Sequence, residues 1–122
     1  MSRVLAFAVA LICVAPAYAQ TRYSAHVEDF PLPPGFERIF EYAPYSGEAG
    51  RIVVMDGLGA GSPASVRAFY EAALPPLGWS FSPGDEGLVF QRGRQRLTLI
   101  IEPAQGGTHL LATFVERPSP SD

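Results

Sequence analysis

One stretch of this chain carries a helical period, and its ends are marked so firmly that the remainder has to be built around it. Val66, Phe69, Tyr70, Ala73, Leu74 and Leu77 fall at i, i+3, i+4, i+7, i+8 and i+11, which makes one continuous apolar stripe. Ser62 suits the N-cap, and Pro63 suits the first helical position, where its missing N–H costs nothing. Pro75-Pro76 stops regular hydrogen bonding near Leu74, and Gly78 completes the exit. The expected helix is Pro63 to Leu74, with its stripe buried against a sheet. Arg67 and Glu71, four apart and off the stripe, form a solvated pair worth about 0.3 kcal/mol.

On both sides of the helix the pattern has period two. Phe36 to Tyr42 and Arg51 to Leu58 read as strands of a hairpin, with Pro44 to Gly50 as the turn. Gly57, Gly59 and Gly61 follow, but no Lys-Ser/Thr comes after them and the third glycine of a dinucleotide fingerprint is missing. They are expected to let the chain turn sharply into the helix. Beyond it come Trp79 to Ser82, Leu88 to Arg92, Gln95 to Glu102 and Thr108 to Glu116. Short turns at 83–87 and 93–94 and a loop at 103–107 imply an antiparallel meander. The fold class expected is α+β, one helix packed on a mainly antiparallel sheet of five or six strands.

The amino terminus reads as a cleaved secretory signal over residues 1–19. Arg3 gives the positive start, Val4 to Val14 a short apolar run, and Ala17-Tyr18-Ala19 an A-x-A cleavage site. A membrane anchor would need about 20 apolar residues, whereas Pro16 and small residues interrupt this run. Leu11-Ile12-Cys13 looks superficially like a lipobox, yet Ile12 is large where a small residue is wanted, so lipidation at Cys13 is the minor reading. With Cys13 removed no cysteine remains, and the domain must hold together by its core alone. Residues 20–28 are expected to form a flexible lead-in, 29–116 a single domain, and 117–122 a disordered tail. The proline-rich run Phe30 to Phe36 reads as an extended strap packing Phe30, Leu32 and Phe36 on the core, in preference to a ligand for another protein's aromatic groove.

Chemistry is sparse. All nine cations are arginine against twelve acids, a net charge of −3 that argues against nucleic-acid binding. His26 and His109 lack metal-ligand spacing, and no serine sits in a Gly-x-Ser-x-Gly elbow. Asp85 and Glu86 fit a β-turn better than a catalytic pair. The expectation is therefore a protein that is not an enzyme and uses no cofactor or metal. Arg92, Arg94 and Arg96 cluster around the Gly93 turn as a candidate anion, acidic-partner or membrane-headgroup site, against the plainer reading of a solvated hairpin tip. Tyr70, Trp79 and Phe81 are candidate ligand contacts in an apolar helix-sheet cleft, although Trp79 and the Phe69-Tyr70 pair also suit a core.

The run from Ser65 to Trp79, with its V-x-x-F-Y-x-x-x-L-x-x-x-G-W spacing, follows Pro-Leu-Pro-Pro-Gly and precedes a phenylalanine strand and an arginine hairpin. It resembles small exported bacterial proteins of unassigned function in which such a helix packs on an antiparallel sheet. The resemblance covers roughly residues 29–116, implies an envelope protein and transfers no catalytic residue. The reading that follows is a periplasmic or secreted interaction module, cleaved near Ala19, that meets another envelope protein by an open sheet face or an edge strand. Its alternative is a small-molecule or lipid carrier. Its oligomeric state is expected to be a monomer or an edge-strand dimer.

Overall fold

Alternating sequence draws six segments into one sheet: β1 (Phe36–Gly47), β2 (Gly50–Gly59), β3 (Ser80–Pro83), β4 (Leu88–Arg92), β5 (Gln95–Ala104) and β6 (Gly107–Glu116). The computed structural model describes residues 22–83 and 87–120. The expected leader with Cys13 and Ala19, and the turn acids Asp85 and Glu86, lie outside the described residues. The strands are ordered β1-β2-β6-β5-β4-β3, and every neighbouring pair is antiparallel. One helix, α1 (Pro63–Ala73), crosses a single face, so the fold is α+β.

The helix begins where its cap residues place it. Ser65 N–H donates to Ser62 Oγ and Ser62 N–H to Ser65 Oγ, both at 3.1 Å, a reciprocal box that satisfies two otherwise orphaned donors. Pro63 occupies the first turn, and Pro75–Leu77 form a single 3-10 turn ending at Gly78, whose φ is 94°. Val66, Tyr70 and Leu74 press onto the inner face of the sheet. There they meet Leu88 and Phe90 of β4, Leu97 and Leu99 of β5, and Leu110 and Phe114 of β6. Each such side chain contributes roughly 1.5–3 kcal/mol by leaving water.

The strap closes the remaining side of this core. Phe30, Leu32 and Phe36 are buried, and the Phe30 ring stacks on Tyr70 with centroids 5.3 Å apart. The segment expected to be a flexible lead-in folds back on it from residue 22. Ser24 N–H donates to Phe30 O and Leu32 N–H to Arg22 O, both at 2.8 Å, and Val27 is buried. The Arg22 guanidinium donates to Phe36 O, and the Ser24 hydroxyl to the Glu41 carboxylate of β1. These bonds join residues too distant in sequence for local patterning to reveal.

Two further departures concern the first hairpin. β1 runs on through Pro44 to Gly47, because a register shift between Tyr42 and Tyr45 absorbs Ala43 and Pro44. Proline is tolerated there since β1 is an edge strand and a bulge needs no ladder donor. Gly57 and Gly59 stay within β2, and neither makes the turn. A Cβ at Gly59 would lie 2.3 Å from the Phe36 ring, so this glycine makes room for the strap. Only Gly61 of the three turns the chain, with φ at 101°, and the buried Thr108 hydroxyl pins it by donating to Gly61 O at 2.8 Å.

Candidate functional site

Every strand that buries one face must show the other, and strand pairing fixes which residues share it. Four cross-strand rows lie opposite the helix: Arg38-Leu58-His109-Glu102, Phe40-Asp56-Leu111-Ile100, Tyr42-Val54-Thr113-Thr98, and Tyr45-Ile52-Val115-Arg96. Nine of these sixteen positions are aromatic or branched aliphatic. Phe40 is 76% exposed, Tyr42, Tyr45 and Leu58 are exposed, and Ile52, Val54, Leu111, Val115 and Ile100 are half-buried by their neighbours alone. Val89, farther along on β4, is withdrawn from solvent. Asp56 and Thr113 interrupt these apolar positions at the centre of the face, yet so many on one sheet face exceed the scattered exposed residues of an ordinary surface.

Charge on this outer face is unevenly spread along the strands, with three arginines at one end and Arg38 together with Glu102 at the other. At one end His109 Nε2 lies 2.6 Å from Asp56 Oδ1, beside Glu102. At the other, Arg94, Arg96 and Arg117 line a concavity of about 570 Å³ with Gln91, Gln95, Thr98 and Val115. Among the described residues none of these three arginines, nor Glu102, has an ion-pair partner within 4.0 Å.

The structure divides the sequence-expected arginine cluster. Arg92 points to the inner side, 4.4 Å over the Trp79 ring. It donates to Leu77 O at 3.0 Å, Asp29 Oδ2 at 3.2 Å, Glu28 O at 3.3 Å and Gln95 Oε1 at 3.0 Å. It therefore fastens the strap, and it is not part of the basic concavity. Arg117 takes its place there, because its N–H donates to Arg94 O at 3.0 Å and extends the β5-β6 ladder past Glu116. Counting the antiparallel register back from the Gly106 loop would have paired Arg117 with Arg94.

Tyr70 and Trp79, the candidate cleft contacts, are 0% and 1% exposed and offer no surface to a ligand. Both belong to the core, and burial holds the Tyr70 phenol well above its usual pKa. The Tyr70 hydroxyl and Trp79 Nε1 have no hydrogen-bond partner among the described residues. Phe81 does reach solvent, at 50% exposure, because it sits on the edge strand β3, where its ring packs edge-on against Phe90 with centroids 5.6 Å apart. These three residues thus share no cleft. A separate hollow of about 530 Å³ lies between Pro63, Ala64 and Arg67 of the helix and Leu88, Leu99 and Ile101 of the sheet.

His26 is exposed in the strap segment, far in fold from His109 on the outer face. Among the described residues no three His, Cys, Asp or Glu side chains gather as metal ligands, and no helix is long and apolar enough to cross a membrane. No family model, curated protein or solved structure matches the chain.

Proposed function

We propose that this chain is an exported, non-enzymatic interaction module of the bacterial envelope, docking through the outer face of its sheet. The observation that carries the reading is the asymmetry between an inner face covered by helix and strap and an outer face that leaves Phe40, Tyr42, Tyr45 and Leu58 in water. Aromatic side chains framed by arginine are the composition favoured at protein interfaces. Docking through the sheet edges is the weaker route: β1 carries two register shifts and Pro44, and β3 is only four residues long.

The carrier reading keeps one support, the hollow beside Pro63, Ala64 and Arg67. Native mass spectrometry of the protein isolated gently from its own host separates the two. A second polypeptide in fixed ratio, lost on Phe40→Ser with Tyr42→Ser, is the expected result. A small non-covalent mass would favour the carrier, and the chain returned alone even after crosslinking would overturn the docking reading.

A further inference from the structure

Eight arginines lie among the described residues, and they divide by what holds their side chains. Arg22 donates to Phe36 O, Arg51 donates to His26 O beside Glu116, and Arg67 pairs with Glu71. Arg92 is taken up by the strap and the Trp79 ring. The guanidinium groups of the other four, Arg38, Arg94, Arg96 and Arg117, make no hydrogen bond or ion pair among the described residues. Three of these four line one concavity of about 570 Å³ at a corner of the outer face. We propose that this concavity binds a phosphate monoester, carried either by a soluble small molecule or by a lipid headgroup.

The ladder sets the three side chains against one another. Arg117 N–H donates to Arg94 O at 3.0 Å, which places these two residues opposite each other, one step beyond the Gln95-Glu116 pair. Arg96, paired with Val115, lies two residues along from Arg94 on the same side of the sheet and diagonally from Arg117. Directly opposed Cβ atoms are about 5 Å apart and diagonal ones about 7 Å, so the three long side chains reach a common point. Like charges placed directly opposite destabilise a sheet. A hairpin tip kept soluble needs charge but gains nothing from stacking it, whereas a bound anion turns the repulsion into attraction. Among the described residues no carboxylate lines the concavity. Glu116 faces the inner side, where Arg51 lies at 3.7 Å and Gln95 Nε2 donates to it at 2.8 Å. Glu48 lines an adjoining hollow that shares Arg94 and Arg117, yet its carboxylate comes within 4.0 Å of neither guanidinium.

The donor set selects phosphate over a carboxylate. Each guanidinium presents a planar fork of N–H donors that matches two oxygens, so three forks need more acceptor than one carboxylate supplies. A phosphate monoester brings three terminal oxygens and a charge of about −1.5 to −2 at neutral pH, which suits three cations. Gln91 and Thr98, on the same face, add neutral donors at the rim. Beside the cations, Val115, Ile52 and Tyr45 of the fourth cross-strand row offer an apolar shelf for the body of the ester. Against a net charge of −3 for the whole chain, three uncompensated cations at one corner make a local field that draws anions to that spot. The site is independent of the docking reading, since it needs neither Phe40 nor Leu58 nor a second polypeptide.

Amide chemical shifts of the isotope-labelled protein, titrated at constant ionic strength with phenyl phosphate, inorganic phosphate and acetate, test the site. The expected result is saturable shifts centred on Gly93, Arg96 and Arg117, with a phenyl phosphate dissociation constant of about 1 mM or tighter. Acetate should bind at least about fivefold more weakly. Arg94→Gln and Arg117→Gln, checked for folding by thermal melts, should each weaken phenyl phosphate at least about fivefold. Arg38→Gln, at the opposite end of the face, should leave it unchanged. Vesicles of phosphatidylcholine with about one-fifth phosphatidic acid identify the source. Retention that exceeds that on matched phosphatidylglycerol vesicles and is lost in Arg94→Gln assigns the lipid headgroup, with or without binding in solution. Phenyl phosphate binding without retention assigns a soluble monoester. The proposal is overturned by neither binding nor retention, or by binding indifferent to both glutamine variants. Equal retention on the two lipids without solution binding also overturns it, as does acetate equal to phosphate, a result that would point to an acidic peptide instead.

Discussion

The inner and outer faces of the sheet are built from the same strands, often from adjacent residues, yet they are held by different physics. On the inner face Val53, Leu97, Leu99 and Phe114 are covered by helix, strap and the Trp79 ring, and position is set by packing. On the outer face Val54, Ile100 and Val115 are half-buried among their cross-strand neighbours, and position is set by the ladder. Apolar character alone therefore does not tell a core residue from a contact residue. What separates them is whether another element of the same chain arrives to cover the site.

The largest test of this contrast is at the centre of the inner face. Trp79→Ala removes a fully buried ring that meets Phe114 edge-on at 6.3 Å and leaves Arg92 with nothing to lie over. A loss of about 3–5 kcal/mol is expected from urea unfolding; an unchanged midpoint would mean that the inner face is not the stabilising one.

Smaller, and of opposite sign, is Tyr70→Phe. The buried phenol makes no hydrogen bond among the described residues, so the variant should be more stable by up to about 1 kcal/mol near neutral pH. Because burial raises the folded-state pKa above the unfolded value, the neutral phenol's contribution is intact below about pH 10. It is lost as pH climbs from there toward the folded pKa. The phenylalanine variant should lose less stability over that alkaline range. A destabilised variant would show that the hydroxyl has a partner.

The smallest expected effect is on the outer face. Phe40→Ser should leave the stability of the isolated chain within about 0.5 kcal/mol of wild type, while weakening any assembly formed through that face. A large fall in stability with no change in assembly would place Phe40 in the core and reverse the contrast.

Much of the fold was legible because its signals are local. Ser62-Pro63 and Pro75-Pro76 delimit the helix, and its stripe names Val66, Tyr70 and Leu74 as the buried face. Strand alternation located all six strands, apart from the extension of β1, where a bulge overrode proline's usual meaning, and that of β5 through Pro103 to Ala104, which shortens the expected loop. The arginine site was misread because proximity in sequence was weighed above parity. Arg92 shares its parity on β4 with buried Leu88 and Phe90, so it had to face inward. Arg96 neighbours buried Leu97 on β5 and had to face outward. The strap's hydrogen bonds to β1 and β4 depend on the finished tertiary structure, and no short window of sequence contains them.

The position of β6 governs how the molecule can assemble. The last strand lies in the interior of the sheet, between β2 of the first hairpin and β5 of the meander. Until it is present the chain holds two separate β fragments, and the helix has only part of a surface to cover. Non-local pairing of this kind carries its loop-closure entropy before it gains its contacts, which slows folding. β6 thus acts as a completion signal: a chain interrupted before it keeps two separate β fragments and cannot close the core between them.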